Sequence, residues 1–526
     1  MIRINQIKLP VHHTMAQLEE KICKSLKIKP EQLLTYSIVK KSIDARKKPE
    51  LRIVYSVNVT VSDETKIVKK VNNNNIMLIK EKCYQFPQPK TDTQARSPVI
   101  IGAGPAGLFC AYVLVLAGLK PVVIERGKTV EERTADVETF WKTGVLNPSS
   151  NVQFGEGGAG TFSDGKLNTL VKDPMGRNRF VLETFVKFGA PDRILYENKP
   201  HIGTDILARV IHAMRVFMED SGAEFRFKTC MTDFETKAGQ ISRIQLNQNE
   251  WLNVSQVVLA IGHSARDTFR MLDEKKELGM EPKSFAVGFR VEHPQEEINL
   301  EQYGPCYYQE LPAAPYKVTA NLPNGRGIYS FCMCPGGYVV NASSEERRLA
   351  VNGMSYSRRD GSNANSAIIV SVTPEDFDGT DALAGVRFQE SLEEKAFALG
   401  NGKIPQQLFG DYCKNQASIS YGAYSSNTKG KAVLCNLRGL MPVALEDAFI
   451  EGMHHFASSI HHFDREDAIL SGVESRTSSP VRIPRNEVFM AKISGVYPCG
   501  EGAGYAGGIM SAAMDGLKVA EAILKA

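Results

Sequence analysis

The residues with the most chemical meaning in this chain are glycines. Val99-Ile100-Ile101-Gly102-Ala103-Gly104-Pro105-Ala106-Gly107 sets a G-x-G-x-x-G between an apolar run and a helix-forming stretch, Leu108 to Ala117. In that context Gly102 permits a tight turn, Gly104 lets the backbone approach a pyrophosphate, and Gly107 allows a helix to pack closely on a strand. The helix start offers unpaired amides and a positive dipole end to phosphate. A second apolar run, Val122-Val123-Ile124, ends at Glu125, 18 residues after Gly107, with Arg126 next. A carboxylate at that distance can accept both hydroxyls of a ribose. Turn, helix, strand and acid together point to a dinucleotide.

Three further segments favour FAD over NAD. Gly155-Glu156-Gly157-Gly158-Ala159-Gly160-Thr161, followed by Phe162-Ser163-Asp164-Gly165-Lys166, is a second glycine-rich run whose amides are free to wrap an extended cofactor. Val257 to Gly262 is a strand candidate ending in Ala260-Ile261-Gly262, similar to the strand beneath the cofactor in two-dinucleotide flavoproteins. Gly495-Val496-Tyr497-Pro498-Cys499-Gly500-Glu501-Gly502 resembles the C-terminal flavoprotein strand, whose terminal acid binds the ribityl chain. Gly507-Gly508-Ile509-Met510 then opens a last helix, with amide dipoles suited to negative charge on a reduced ring. There is no second G-x-G-x-x-G in a strand–helix context, and no C-x-x-C or C-x4-C near these segments. A dedicated NAD(P) domain and thiol-reductase chemistry are therefore not expected. NAD(P)H, as an electron donor, would be a transient visitor.

Other residues have a chemical reading and a plainer one. Cys332 and Cys334 flank Met333 in an extended segment, which predicts that they share one face. They read as a dithiol relay or metal pair, or more commonly as two small buried side chains. Cys499 stands two residues before Glu501, near the flavin or packed in the core. His454, His455, His461 and His462 form the only histidine cluster, with His454 and His461 spaced to share a helix face. Without a companion cysteine or H-x-x-x-H, a surface or domain contact is favoured and no metal is expected. His263 follows Gly262, where loops commonly face the cofactor, and could move a proton during flavin reduction or simply pack its loop. Arg476, Arg482 and Arg485 precede the final segment; they suit a carboxylate or phosphate ligand, or interdomain ion pairs. Asp164 and Lys166 divide similarly between FAD contact and loop capping.

These residues need a scaffold. With 526 residues, 43% hydrophobic and 23% charged, the chain has ordinary globular composition and room for about three domains, which excludes a disordered or fibrous protein. Ten cysteines are too dilute for a disulfide framework, and the N-terminus has no apolar signal core, so a cytoplasmic setting is expected. The net charge of +4 hides an asymmetry. Residues 1–90 hold 18 Lys+Arg against 8 Asp+Glu, while the remainder holds 45 against 51. The basic segment could meet an acidic partner. Neither basic helical runs nor interleaved aromatics accompany the charge, so nucleic acid is not the expected partner. Val99 to Leu119 is 21 residues without a charge, long enough to span a bilayer, but its glycines and proline read as strand, turn and helix.

Residues 1–90 read as a basic α/β module. Thr14-Met15-Ala16-Gln17 is a capping box before Leu18, Ile22 and Leu26; Pro30 closes that helix region. Tyr36 to Val39 is extended, and Leu51, Ile53, Tyr55, Val57, Val59 and Val61 alternate as a half-buried strand. Asn72 to Asn75 is a polar turn, and Gln85 through Pro98 reads as a linker. Thr204 to Ser221 has helical spacing, and Phe285 to Phe289 and Ala367 to Val370 are extended. The expected fold is α/β. A Rossmann-like FAD/NAD(P)-binding domain is built from discontinuous segments, 95–281 and 473–526. A mixed α/β substrate or cap domain is inserted at 282–472. The small module stands in front, with a ferredoxin-like arrangement as one candidate for it.

The sequence resembles the uncharacterised FAD-dependent dehydrogenases, a bacterial and plastid family related to glutathione-reductase-like and hydroxylase-like flavoproteins of the two-dinucleotide fold. The resembling strings include Ser42 to Lys47, the fingerprint with Glu125-Arg126-Gly127, Gly155 to Leu167 and Ala260 to Thr268. They continue through Phe331 to Gly337, Asn352 to Ser355, Glu474 to Arg482 and Gly500 to Gly516. The resemblance implies bound, non-covalent FAD and an oxidoreductase passing hydride through flavin N5 to or from a small-molecule substrate that it leaves unidentified. The alternatives are an RNA-associated flavoprotein using the basic module and a flavin monooxygenase.

Overall fold

Alternation makes Arg52–Val61 the spine of the first sheet: Ile53, Tyr55, Val57, Val59 and Val61 all point into the core. The computed structural model describes residues 1–80, 83–89 and 97–526, so residues 90–96 of the expected linker lie outside the described residues. The helix Met15–Leu26 starts at the Thr14–Gln17 capping box and lays Leu18, Ile22 and Leu26 on the sheet. In chain order the module runs strand Ile2–Pro10, that helix, strand Leu33–Asp44, strand Arg52–Val61, helix Glu64–Val71 and strand Ile76–Leu78. In space the strands lie second, third, first, fourth, all antiparallel, which is the ferredoxin-like arrangement. The edge strand Leu33–Asp44 is engaged by the rest of the chain. Lys41 donates its amide to the Tyr196 carbonyl at 2.7 Å, and Asn198 donates back to the Lys41 carbonyl at 2.9 Å.

The second sheet gathers distant segments. Its five parallel strands run Val496–Pro498, Val257–Leu259, Val99–Ile101, Val122–Ile124 and Glu224–Arg226. Both faces are covered, as a parallel sheet requires. Ile100, Val123 and Val258 face the helices Pro105–Leu116, Thr204–Asp220 and Ile509–Lys525. Val99, Ile101, Val257 and Leu259 face a three-stranded antiparallel layer, Met231–Lys237, Gln240–Leu246 and Glu250–Asn253. The uncharged run from Val99 to Leu119 thus becomes strand, turn and helix, and no helix among the described residues is long and apolar enough to cross a membrane.

A seven-stranded sheet fills most of 285–474. Its two long central strands, Phe285–Pro294 and Asn363–Val372, are buried almost throughout. The helix Val443–Phe456 packs on them through Leu445, Phe449 and Met453. That helix stops at Phe456, so His454 and His461 do not share a helix face as their spacing predicted; His461 and His462 fall in the turn beyond it.

Candidate functional site

A cleft of about 740 Å³ opens where the parallel strands end, between that sheet and the seven-stranded one. Ligands bind outside the carboxyl ends of strands in such folds, because the turns there leave backbone groups unpaired. The fingerprint turn is tightly wedged: Gly102 has φ 106°, and a Cβ on it would overlap the Ala260 carbonyl oxygen. A Cβ on Gly107 would overlap the Gly102 carbonyl oxygen, so only glycine brings the helix this close. Of the residues expected to contact a cofactor, all line the cleft except Ala103, Gly107, Thr161, Gly165 and Gly500, which stand behind its wall.

Glu125 is more committed than the sequence implied. Its carboxylate accepts from the amides of Ala103, Gly127 and Gly155, each at 2.9 Å. A carboxylate offers about four lone-pair sites, so one remains for a ribose hydroxyl instead of two. Arg126 spends its fork on Asp267 and Thr268 and lays its guanidinium over the Phe154 ring at 4.4 Å. The second glycine run is held by a residue that motif reading missed. Arg133 is fully buried and donates to the carbonyls of Asn151, Val152, Glu156 and Gly158. Burial pushes its guanidinium down to about 10. The signal was present: on the helix Val130–Thr143, Arg133 interrupts the apolar stripe Val130, Val137 and Phe140.

At the other end the seven-stranded sheet supplies Phe331 and Cys332, and a neighbouring strand, Val351–Met354, supplies Asn352 and Gly353. The strand Gly327–Cys334 bulges between Phe331 and Cys334, and Cys332 takes a left-handed φ of 42°. An extra residue in a strand reverses the alternation. Cys332 therefore opens on the cleft floor while Cys334 is buried, and the pair does not share a face. Enclosure raises both thiols, Cys334 to about 12, which leaves them protonated and unsuited to a dithiolate relay. No group of three or more His, Cys, Asp or Glu side chains suited to a metal occurs among the described residues.

His263 lies in the cleft wall with its side chain 9% exposed and Nδ1 at 2.9 Å from Glu501 Oε1. That contact is misaligned for a hydrogen bond, and both ring nitrogens are buried without a partner among the described residues. Arg476 borders the cleft, but its donors are taken by Glu393, Ser344 and Ser264. Glu393, itself fully buried, also receives Arg266 at 2.7 Å, so Arg476 sits in a buried ion-pair network that engages its donors. Arg485 pairs with Asp515 at 2.7 Å, and Asp515 also accepts the Gly500 amide, which ties down that turn. Arg482 stacks on Tyr505. Cys499 is sealed in the core away from the cleft, its thiol raised well above the ordinary value by burial. His454 pairs with Asp464 on the surface.

A family model described as "FAD-dependent protein, C-terminal domain-like" matches residues 284–477, and one described as "Domain of unknown function (DUF8436)" matches residues 1–60. An uncharacterized protein of Clostridium beijerinckii (strain ATCC 51743 / NCIMB 8052) is 45% identical over 529 residues, covering 100% of this chain and 98% of that protein. The chain belongs to an uncharacterised family of FAD-dependent oxidoreductases. FAD is its cofactor. The cleft of this flavoprotein fits that group on three counts. Added Cβ atoms at Gly507 and Gly508 meet nothing within 4 Å, which leaves the floor over the last helix clear. The start of Pro105–Leu116 lines the cleft, and His263, in its wall, has two buried nitrogens without hydrogen-bond partners among the described residues. Among solved structures, L-proline dehydrogenase from P. horikoshii is 16% identical over 84% of this chain and 94% of that one, with a TM-score of 0.33. Glycine oxidase from Bacillus cereus ATCC 14579 is 10% identical over 81% and 94%, with a TM-score of 0.31. At those scores neither likeness carries weight.

Proposed function

We propose that this oxidoreductase moves a hydride between FAD and a small molecule held against the floor formed by Phe331, Cys332 and Asn352, with His263 as the proton-transferring side chain. One observation carries the reading: a buried imidazole whose Nε2 has no partner among the described residues lines the same cleft as the fingerprint turn and the Gly507–Gly508 floor. FAD, when bound, supplies a hydride acceptor or donor at N5. The protein does the rest. Glu501 stands beside Nδ1 at 2.9 Å, which leaves Nε2 to give or take a proton. The Arg133-braced glycine run and the helix start at Pro105 hold the cofactor's phosphate end through backbone amides. Burial of His263 keeps water from competing for the proton.

The same proposal divides the chain into the FAD-binding segments 95–281 and 473–526, the inserted substrate domain 282–472 and the basic module 1–90. The membership of the parallel and seven-stranded sheets supports that division. NAD(P)H as transient donor, an acidic partner for the basic module and a cytoplasmic setting belong to it as well. The test is an anaerobic visible spectrum of the purified protein before and after NADPH. Flavin bands that bleach support an oxidoreductase fed by nicotinamide, and bands that persist remove NADPH as the donor. Absence of flavin after reconstitution with FAD overturns the reading.

A further inference from the structure

The cations that line the cleft are paired with carboxylates, with one exception. Arg126 pairs with Asp267, Asp164 with Arg359, Glu474 with Arg290 and Arg476 with Glu393. Glu125 is spent on three amides, and Glu501 faces His263. Lys166 alone among the described basic side chains of the lining has no carboxylate within 4 Å. Its backbone is also fixed in place. The Leu167 amide donates to the Pro200 carbonyl at 2.9 Å and the Ile202 amide to the Gly165 carbonyl at 3.0 Å, a short ladder that pairs Lys166 with His201.

The Ser355 amide, just past the strand that supplies Asn352, donates to the Ser163 carbonyl at 3.4 Å, so the segment that carries Lys166 lies against the floor side of the cleft. This positive pole therefore lies on the floor side of the cleft. The fingerprint turn packs elsewhere, against Gly158 and Ala260, and brings its own amides for a pyrophosphate. A lysine without a carboxylate partner, on a backbone held by this ladder in the lining of a cleft, is suited to an anion, because a charge-assisted hydrogen bond to it is open to an incoming negative group. We propose that Lys166 receives an anionic group, carboxylate or phosphate, of the substrate, so that this flavoprotein acts on a small acid instead of a neutral molecule. The inference rests on the proposed function, and it moves Lys166 from the cofactor to the substrate.

The test uses the FAD-loaded full chain and its Lys166→Met and Lys166→Arg variants, with benzoate, inorganic phosphate and neutral benzamide as probes. The readouts are the displacement of the flavin visible bands and the rise in melting temperature on titration. The expected result is saturable binding of benzoate or phosphate, weakened roughly tenfold to a hundredfold in Lys166→Met and largely kept in Lys166→Arg, with FAD content unchanged. Which anion binds separates carboxylate from phosphate. Three results would overturn the inference: no saturable binding of either anion, equal binding by Lys166→Met, or benzamide matching benzoate. Loss of FAD from Lys166→Met would return the residue to the cofactor. A wild-type protein that holds no flavin would instead sink the functional reading itself.

Discussion

The sharpest check on the site uses a position where the chain tolerates a side chain and the cofactor does not. Gly507 has a φ outside the left-handed region, is exposed to the cleft, and a Cβ built on it meets nothing within 4 Å. Gly507→Val therefore alters the stability of the apoprotein by less than ~1 kcal/mol, with a loss of unfolded-chain entropy as its main effect. In the loaded protein the three added carbons enter space that FAD needs. Forcing extra carbons into a filled site costs ~1–3 kcal/mol, and each ~1.4 kcal/mol is tenfold in affinity. FAD binding should weaken roughly tenfold to a hundredfold. The assay strips the flavin, titrates it back while following the quenching of its fluorescence, and records the melting of both apoproteins. Wild-type affinity in the valine variant would refute the placement of FAD over the Gly507–Gly508 turn. A lowered apoprotein melting temperature would show that the position is packed after all.

Gly107→Ala is its opposite. The new methyl overlaps the Gly102 carbonyl oxygen, so apo and loaded protein should both lose ~1–3 kcal/mol, read as a lower melting temperature; unchanged melting would contradict the close helix–strand contact. Arg133→Met should leave five carbonyls, Gly155 among them, without this donor and lower the ratio of flavin to protein absorbance on purification, and a full complement of FAD would deny Arg133 its bracing role. Glu393→Ala removes the shared counter-ion of the buried Arg266 and Arg476 and should destabilise by ~3–5 kcal/mol in thermal unfolding, against a near-neutral result if the arginines find other partners. Burial lowers His293 from 6.5 to about 4, and its Nε2 bonds the Phe463 carbonyl at 2.7 Å. Folding favours the neutral ring, so its contribution is complete above pH 6.5 and drains away as pH falls towards about 4. His293→Phe should flatten the melting-temperature profile across that window, and an unchanged slope would exclude the residue as its source.

What could be read in advance was local. Gly102, Gly107 and Glu125 lie within one strand–helix–strand unit, so spacing alone carries their geometry, and the capping box at Thr14 and the alternation from Ile53 to Val61 are equally short-ranged. Readings failed where a residue's fate depended on something outside its own neighbourhood. One inserted residue at the bulge turned Cys332 away from Cys334, and period-two reasoning has no term for a bulge. For Arg476 an ion pair was among the readings, but not its partner, because Glu393 is 83 residues distant. A partial signal existed for such hubs: Glu393 sits beside Leu392 on the buried face of Ala384–Gly400, just as Arg133 interrupts an apolar stripe. A charged residue inside a hydrophobic stripe is too costly to bury alone, so it announces a partner without naming one. The converse case is Lys166. Its place after the second glycine-rich run marks it only as a candidate for FAD contact or loop capping. It becomes informative only after the other cations in the cleft have been matched, because binding chemistry depends on which charges are left over once folding has used the rest.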